Sequence, residues 1–511
     1  MVVVLDGTPL GIDDVVAVAR RSARIEISPA ARQRMAPARA LVERLDAADE
    51  VVYGVTTGFG ALAERAIGRA DRSTLQRAVV RSHAAGMGPP VDVEVVRGMM
   101  LLRARTLCAG LSGARPELVD AIAALLNAGL CPYVPEHGSL GASGDLAPLA
   151  HAAACLIGEG WVRGADDRPL AAPRALEEHG LSPLEIGPKE GLALINGTDG
   201  MAAALALAVH DLGALLAAAD CVCALTVEAL LGTDAAFDAE VVALRPAPGQ
   251  GASAANLRKL LAGSPLVASH RTSHHAVQDA YSLRCAPQVH GAARDLLDAA
   301  RLTVERELAS IVDNPLVLAE RGTVVSSGNF HGQGLAYAAD MCASICADIA
   351  SISERRIDRM MDPARSRGLP AFLSPAPGVN SGLMIAQYTA AACVVGLRAA
   401  ATPLAVQSVA ASAGQEDHVS MGWTAALRTR RSVAELRRVL AVEAVAAAQA
   451  LEQRAPLRPG AATAALAGSL RARVAPLAED RFLAADLAAA DAWLASDEWR
   501  NAVVQVIGEL R

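Results

Sequence analysis

Five long stretches of the chain, 196–232, 288–312, 331–361, 380–412 and 432–453, repeat apolar residues at three- and four-residue spacing. That period fits the turn of an α-helix and not the alternation of a half-buried strand. Hydrophobic residues make up 52% of the chain and aromatic ones 3%. The core is therefore mostly Ala, Leu and Val, which favours closely packed helices over a β-sandwich. Pro and Gly fall between the stretches, in "RPAPGQG" (245–251) and "MDPARSRGLPAFLSPAPG" (361–378), where helix terminators are expected. The expected fold is mainly α: a long antiparallel helical bundle over 111–511, preceded by a smaller loop-rich domain over 1–110 in which short helical patterns alternate with glycine turns. Between about 158 and 190 a Gly-, Pro- and charge-rich excursion of turns and short strands is expected. Beyond 455 the chain stays Ala/Leu-rich and helical, without a chemical cluster.

Several function classes are disfavoured. A net charge of -7 with no block of like charges argues against nucleic acid as a partner. The N-terminus "MVVVLDGTPL" has no basic region before its apolar run, so no signal peptide is read and a cytoplasmic location is expected. Residues 201–232 are the most apolar, but His210, Asp211, Asp220 and Glu228 recur within them, which fits a buried helix and not a membrane span. Nine cysteines without a secretory signal read as reduced thiols. Cys221 and Cys223, two apart on a helix, point in different directions and make a poor metal clamp. No HExxH motif appears, and the only lysines, Lys189 and Lys259, sit in no setting suggestive of a Schiff base. Neither a metal nor pyridoxal phosphate is expected.

The loop "GSLGASGDLAPLAH" (138–151) carries the most chemistry. Gly144 has no side chain to obstruct its amide nitrogen from approaching the carbonyl carbon of Ala142 and closing a five-membered ring. Loss of water from that ring and from Ser143 leaves a 4-methylidene-imidazol-5-one, an electrophilic alkene that needs no external cofactor. Amide N–H groups near the following helix start offer a site for the ring oxygen. The same residues are equally compatible with an ordinary helix start in which Asp145 is the N-cap.

With its other motifs the chain resembles the aromatic amino acid ammonia-lyase and aminomutase family. The likeness runs to about residue 425 through "YGVTTGFG" (53–60), "RSHAAGMG" (81–88), the 138–151 loop, "GLALINGT" (191–198), "VQDAYSLRCAPQVHG" (277–291), "GNFH" (328–331) and "QEDHVSM" (415–421). It implies a mostly helical homotetramer whose active sites draw on more than one subunit, with the ring formed at Ala142, Ser143 and Gly144. It also implies roles: Tyr53 as the base that takes the β-proton, Tyr281 as the tyrosine beside the ring, and Asn196 contacting the ring oxygen and the substrate amine. Arg284 grips the substrate carboxylate, with Gln278 a polar neighbour and Phe330 a wall. On residue chemistry alone, Asn196 also suits a helix cap, and each tyrosine suits core packing.

The substrate reading rests on a few side chains. Ser82-His83 and Met384 resemble the histidine-acting members, whereas those acting on phenylalanine or tyrosine tend to carry Phe-Leu or His-Leu at 82–83. His83 is suited to hydrogen-bond an imidazole nitrogen. Glu416 supplies a carboxylate where the phenylalanine-acting members have a neutral residue, and a benzene ring would leave it unpaired. The resemblance therefore implies deamination of L-histidine to trans-urocanate. A tyrosine or phenylalanine lyase, an aminomutase, and a catalytically silent helical scaffold are the alternatives. One departure is Gly332-Gln333-Gly334 after "GNFH", where the histidine-acting members commonly show an acidic residue and a proline.

Overall fold

The structure, a computed structural model, describes the chain except residues 49, 53, 55, 59–64, 165–166 and 273–276. It is mainly α, as the apolar spacing predicts. The long stretches form the helices Asp199–Ala229, Ala286–Ala309, Gln333–Met361, Met384–Ala400 and Gly422–Glu452. Two boundaries differ from expectation. The 380–412 stretch stops at Ala400 because Pro403 cannot continue the helical ladder. The last helix begins at Gly422, ten residues early, and buries Trp423, Ala425 and Ala426. Strands are short, and among the described residues they form four two-stranded sheets. The 158–190 excursion is the hairpin Trp161–Arg163 with Pro169–Ala171, followed by the helix Ala172–Glu178.

Asp199–Ala229 and Gln333–Met361 are each long and apolar enough to cross a bilayer, yet most of each apolar window is buried inside the protein. By contact density the chain divides into two compact units. The first comprises 1–208, 301–340 and 403–430, and the second 209–300, 341–402 and 431–511.

In the first unit the helix Val93–Cys108 is buried from Val95 to its last residue and packs on Ile12–Arg20, Pro29–Ala47 and Pro116–Asn127. Three arginines lie inside it, and each directs its guanidinium at backbone carbonyls. Arg97 donates to Val18 O (3.0 Å) and Leu126 O (3.2 Å), and Arg105 to Thr8 O (3.0 Å), Ala309 O (3.0 Å) and Ser310 O (2.5 Å). Arg103 bonds Asn196 O and Val312 O. Several of these acceptors lie in last helical turns, whose carbonyls lack intrahelical donors, so the buried cations satisfy groups that otherwise cost desolvation energy.

The second unit encloses two buried polar clusters. Asp220 accepts from Ser253, Asn256 and Arg294 and pairs with His290 at 2.8 Å. Burial pushes its carboxyl up, but His290 and Arg294 outweigh that and hold it below its ordinary value. Glu443 binds Arg356 through both oxygens (2.5 and 2.8 Å) and also accepts from Thr226 and Ser353. Acidic residues inside an otherwise apolar helix are thus charges paired within the fold.

Candidate active site

The loop 138–145 is clasped from both sides within the first unit. Ser420 Oγ donates to Gly141 O at 3.0 Å, and Met421 N–H to Leu140 O at 2.9 Å. On the other side Asp145 N–H donates to Gly197 O at 2.7 Å, and Gly144 pairs with Gly197 as an isolated parallel bridge. Ser139 Oγ closes the loop on itself, accepting from Gly141 N–H (3.1 Å) and donating to Asp145 Oδ1 (3.1 Å). Gly144 has φ +76°, and a Cβ there would collide with the Gly197 carbonyl. Only glycine fits this place. Ala142 is buried and Ser143 half-buried, and the Ser143 hydroxyl bonds no described residue.

Asp145 does not cap the helix Leu146–Leu156 with its side chain. Its carboxylate accepts Met201 N–H at 2.7 Å, in the first turn of Asp199–Ala229. Burial pushes the Asp145 carboxyl up to about 7, against the pull of the Met201 and Ser139 hydrogen bonds. Asn196 likewise is no cap for the following helix. It ends the helix Glu190–Ile195, its Nδ2 donates to Asn314 O at 2.8 Å, and its buried Oδ1 has no partner among the described residues.

A cavity of about 400 Å³ opens above this loop, lined by Ala142, Ser143, Asn314, Phe330, Glu416 and neighbours. Expected site residues thus converge from three motifs far apart in sequence. Glu416 is held by backbone pairing with Ala411, whose N–H donates to Glu416 O at 2.8 Å. His331 and His418 also line the cavity, stacked with centroids 5.4 Å apart, and His331 Nε2 lies 3.2 Å from His418 O. Both belong to quoted motifs, so a histidine inside each was the available signal. Asn314 and Arg103 carried none. Gly332, where the sequence departs from expectation, packs against the thioether end of Met201, which would have to shift to admit a Cβ. Among the described residues no three His, Cys, Asp or Glu side chains converge as metal ligands.

Other expected residues stand outside this lining. Tyr53 lies outside the described residues. His83 ends the helix Arg72–His83, and its Nδ1 donates to Val79 O at 2.8 Å, which turns Nε2 away from that carbonyl. Gln278, Tyr281 and Arg284 belong to the second unit. Gln278 is exposed, Tyr281 is 71% exposed, and the Arg284 guanidinium sits over the Tyr281 ring, 4.6 Å from its centroid. Their three-residue spacing on the short helix Tyr281–Arg284 produces that stacking.

A sequence profile described as aromatic amino acid lyase matches residues 10–472. The chain is 54% identical over 460 residues to a histidine ammonia-lyase of Streptomyces avermitilis, covering 90% of each protein. Among solved structures, a histidine ammonia-lyase from Trypanosoma cruzi superposes with TM-score 0.91 at 37% identity, covering 100% of this chain and 96% of the other. A tyrosine aminomutase from Streptomyces globisporus gives TM-score 0.92 at 37% identity, covering 100% of both chains. With the clasped Ala-Ser-Gly loop at the floor of its cavity and this match along nine-tenths of its length, the chain belongs to the aromatic amino acid lyase family.

Proposed function

We propose that this chain eliminates ammonia from L-histidine to give trans-urocanate, using a 4-methylidene-imidazol-5-one made from its own Ala142, Ser143 and Gly144. The observation that carries the reading is the Glu416 carboxylate lining the same cavity as Ala142 and Ser143. An imidazole gives that carboxylate an N–H to accept, and a benzene ring does not. A relative named histidine ammonia-lyase is 54% identical over nine-tenths of the chain, against 37% for the tyrosine aminomutase, which favours the histidine reading over the aminomutase one.

The loop suits the ring. The positive φ of Gly144 and the absence of a Cβ leave its nitrogen the close approach that cyclisation needs, and Asn196 Oδ1, without a partner among the described residues, is a buried acceptor on the residue before Gly197. Once formed, the ring supplies the electrophilic carbon that makes the substrate's amino group a competent leaving group. Asn196 Oδ1 accepts an N–H of that amine. Arg284 binds the substrate carboxylate through its two-donor fork, which fixes the β-carbon in place. Tyr53 takes the β-proton as phenolate, Tyr281 assists beside the ring, Gln278 is a polar neighbour and Phe330 a wall. His83 Nε2 accepts from the substrate imidazole.

The exposure of Tyr281 and Gln278 supports sites completed by a second subunit. So does an apolar stripe on the helix Met384–Ala400, where Ile385, Tyr388 and Val395 face outward at 57–65% exposure. The reading is therefore a homotetramer with shared sites, acting on a small amino acid and on neither nucleic acid nor membrane. Nine free thiols suit a reducing, cytoplasmic location. The test is to incubate purified protein separately with L-histidine, L-tyrosine and L-phenylalanine and to follow the absorbance of each unsaturated product. Urocanate is expected fastest, and faster turnover of tyrosine would overturn the substrate assignment.

A further inference from the structure

One of the three buried arginines of Val93–Cys108 reaches the backbone that abuts the candidate loop. Arg103 is 2% exposed, its Nη1 donates to Asn196 O at 2.5 Å, and its Nη2 donates to Val312 O at 2.7 Å. A guanidinium is a planar fork with fixed angles between donors, so two carbonyls bound at once are held at one separation and orientation. The joined segments are tied twice more: Asn196 Nδ2 to Asn314 O at 2.8 Å, and the fully buried pair Lys189 Nζ to Asp313 Oδ2 at 2.5 Å. The approach is close enough that a Cβ on Gly197 would lie 2.6 Å from Arg103 Nη1. Asp199, 3.4 Å from the same nitrogen, supplies the opposing charge.

The contact continues into the loop. The Gly197 carbonyl that follows Asn196 accepts Asp145 N–H at 2.7 Å and fills the space beside Gly144. Whatever fixes Asn196–Gly197 therefore fixes the wall against which Gly144 is pressed. Resting on the ring reading above, we propose that Arg103 is a positioning residue for cyclisation of Ala142-Ser143-Gly144.

In that step the Gly144 nitrogen attacks the Ala142 carbonyl carbon, forming a C–N bond and passing its proton to the carbonyl oxygen. The resulting hydroxyl leaves as water with the Ser143 N–H proton, giving a C=N bond. The Ser143 hydroxyl then leaves as a second water with the Cα proton, giving the exocyclic alkene. Two waters are lost and nothing is oxidised or reduced. Arg103 touches none of these atoms. It acts by holding the attack geometry, where a misplacement of about 1 Å costs on the order of 100-fold in rate.

The experiment compares full-length wild type, Arg103→Lys and Arg105→Lys, each taken as folded protein at the same interval after synthesis. The readouts are intact mass and the borohydride-bleachable near-ultraviolet band. Arg105 is the matched control: it is equally buried on the same helix and bonds three carbonyls, none of them at 196–197. Wild type and Arg105→Lys are expected to lack the mass of two waters. Arg103→Lys, a point charge without the fork, is expected to lack it in fewer than roughly one chain in ten. A fully cyclised Arg103→Lys, or an equal deficit in Arg105→Lys, overturns the assignment. If Arg103→Lys does not fold, Arg103→Gln takes its place, and failure of both to fold beside a folded, cyclised Arg105→Lys also overturns it, since Arg103 would then carry the fold and not the loop. A wild type of unaltered mass would instead remove the ring reading and leave the Arg103 contacts as they stand.

Discussion

The carbonyl of Gly197 stands where a side chain on Gly144 would begin, and the same oxygen accepts the N–H of the next residue, Asp145, at 2.7 Å. A backbone hydrogen bond thus fixes the loop next to a residue that must remain a glycine. Gly144→Ala is expected to abolish ring formation, since both the +76° φ and the Gly197 contact oppose a Cβ. The strain is on the order of 1–3 kcal/mol. Intact mass, with the bleachable near-ultraviolet band, checks this, and a variant that loses two waters as the wild type does contradicts it.

Ser143→Ala separates chemistry from stability. The hydroxyl bonds no described residue and the side chain is half-buried, so its removal is expected to change stability by no more than about 0.5 kcal/mol. Activity is expected to fall by several orders of magnitude, because alanine has no hydroxyl to eliminate. Thermal unfolding and turnover of L-histidine, measured side by side, check both halves, and full activity would remove the self-made electrophile.

Asp145 gives a pH signature. Its carboxyl rises from the ordinary 3.8 to about 7 on burial. Between those values the folded chain keeps a proton that the unfolded chain has released, so this group's contribution to stability falls as pH rises through the window and levels off above it. Asp145→Asn cannot titrate. The difference in Tm, variant minus wild type, is therefore expected to become more positive between about pH 4 and about pH 8. A difference that is flat or falls with pH contradicts the assignment.

Glu416→Gln keeps the shape of the cavity wall and removes its charge. The expected result is a loss on the order of 10- to 100-fold in kcat/KM for L-histidine, with a smaller change for L-tyrosine. Equal losses for both substrates would show that Glu416 does not distinguish the imidazole.

Much of this molecule was legible in the order of its residues. Apolar spacing located the long helices, and the quoted motifs contained Ser143, Phe330, Glu416 and Asn196. The early start of the helix Gly422–Glu452 was hidden because 422–431 carries Arg428, Arg430 and Arg431 among its apolar residues. In the fold Arg428 pairs with Asp340 and Arg430 with Glu94, partners far away along the chain. Asp145 had the type and position of an N-cap, yet its carboxylate serves a helix that begins 54 residues later.

The sequence by itself determined the helical architecture and the chemistry available at 142–144, because periodicity and a missing Cβ are local properties. Only the tertiary structure decided what Arg103 does. An arginine within a helix reads as surface charge until the carbonyls it must satisfy arrive, and Asn196 and Val312 lie 93 and 209 residues further along. Which buried polar groups meet is set by how the helices pack, since an unpaired one costs too much to leave in the interior.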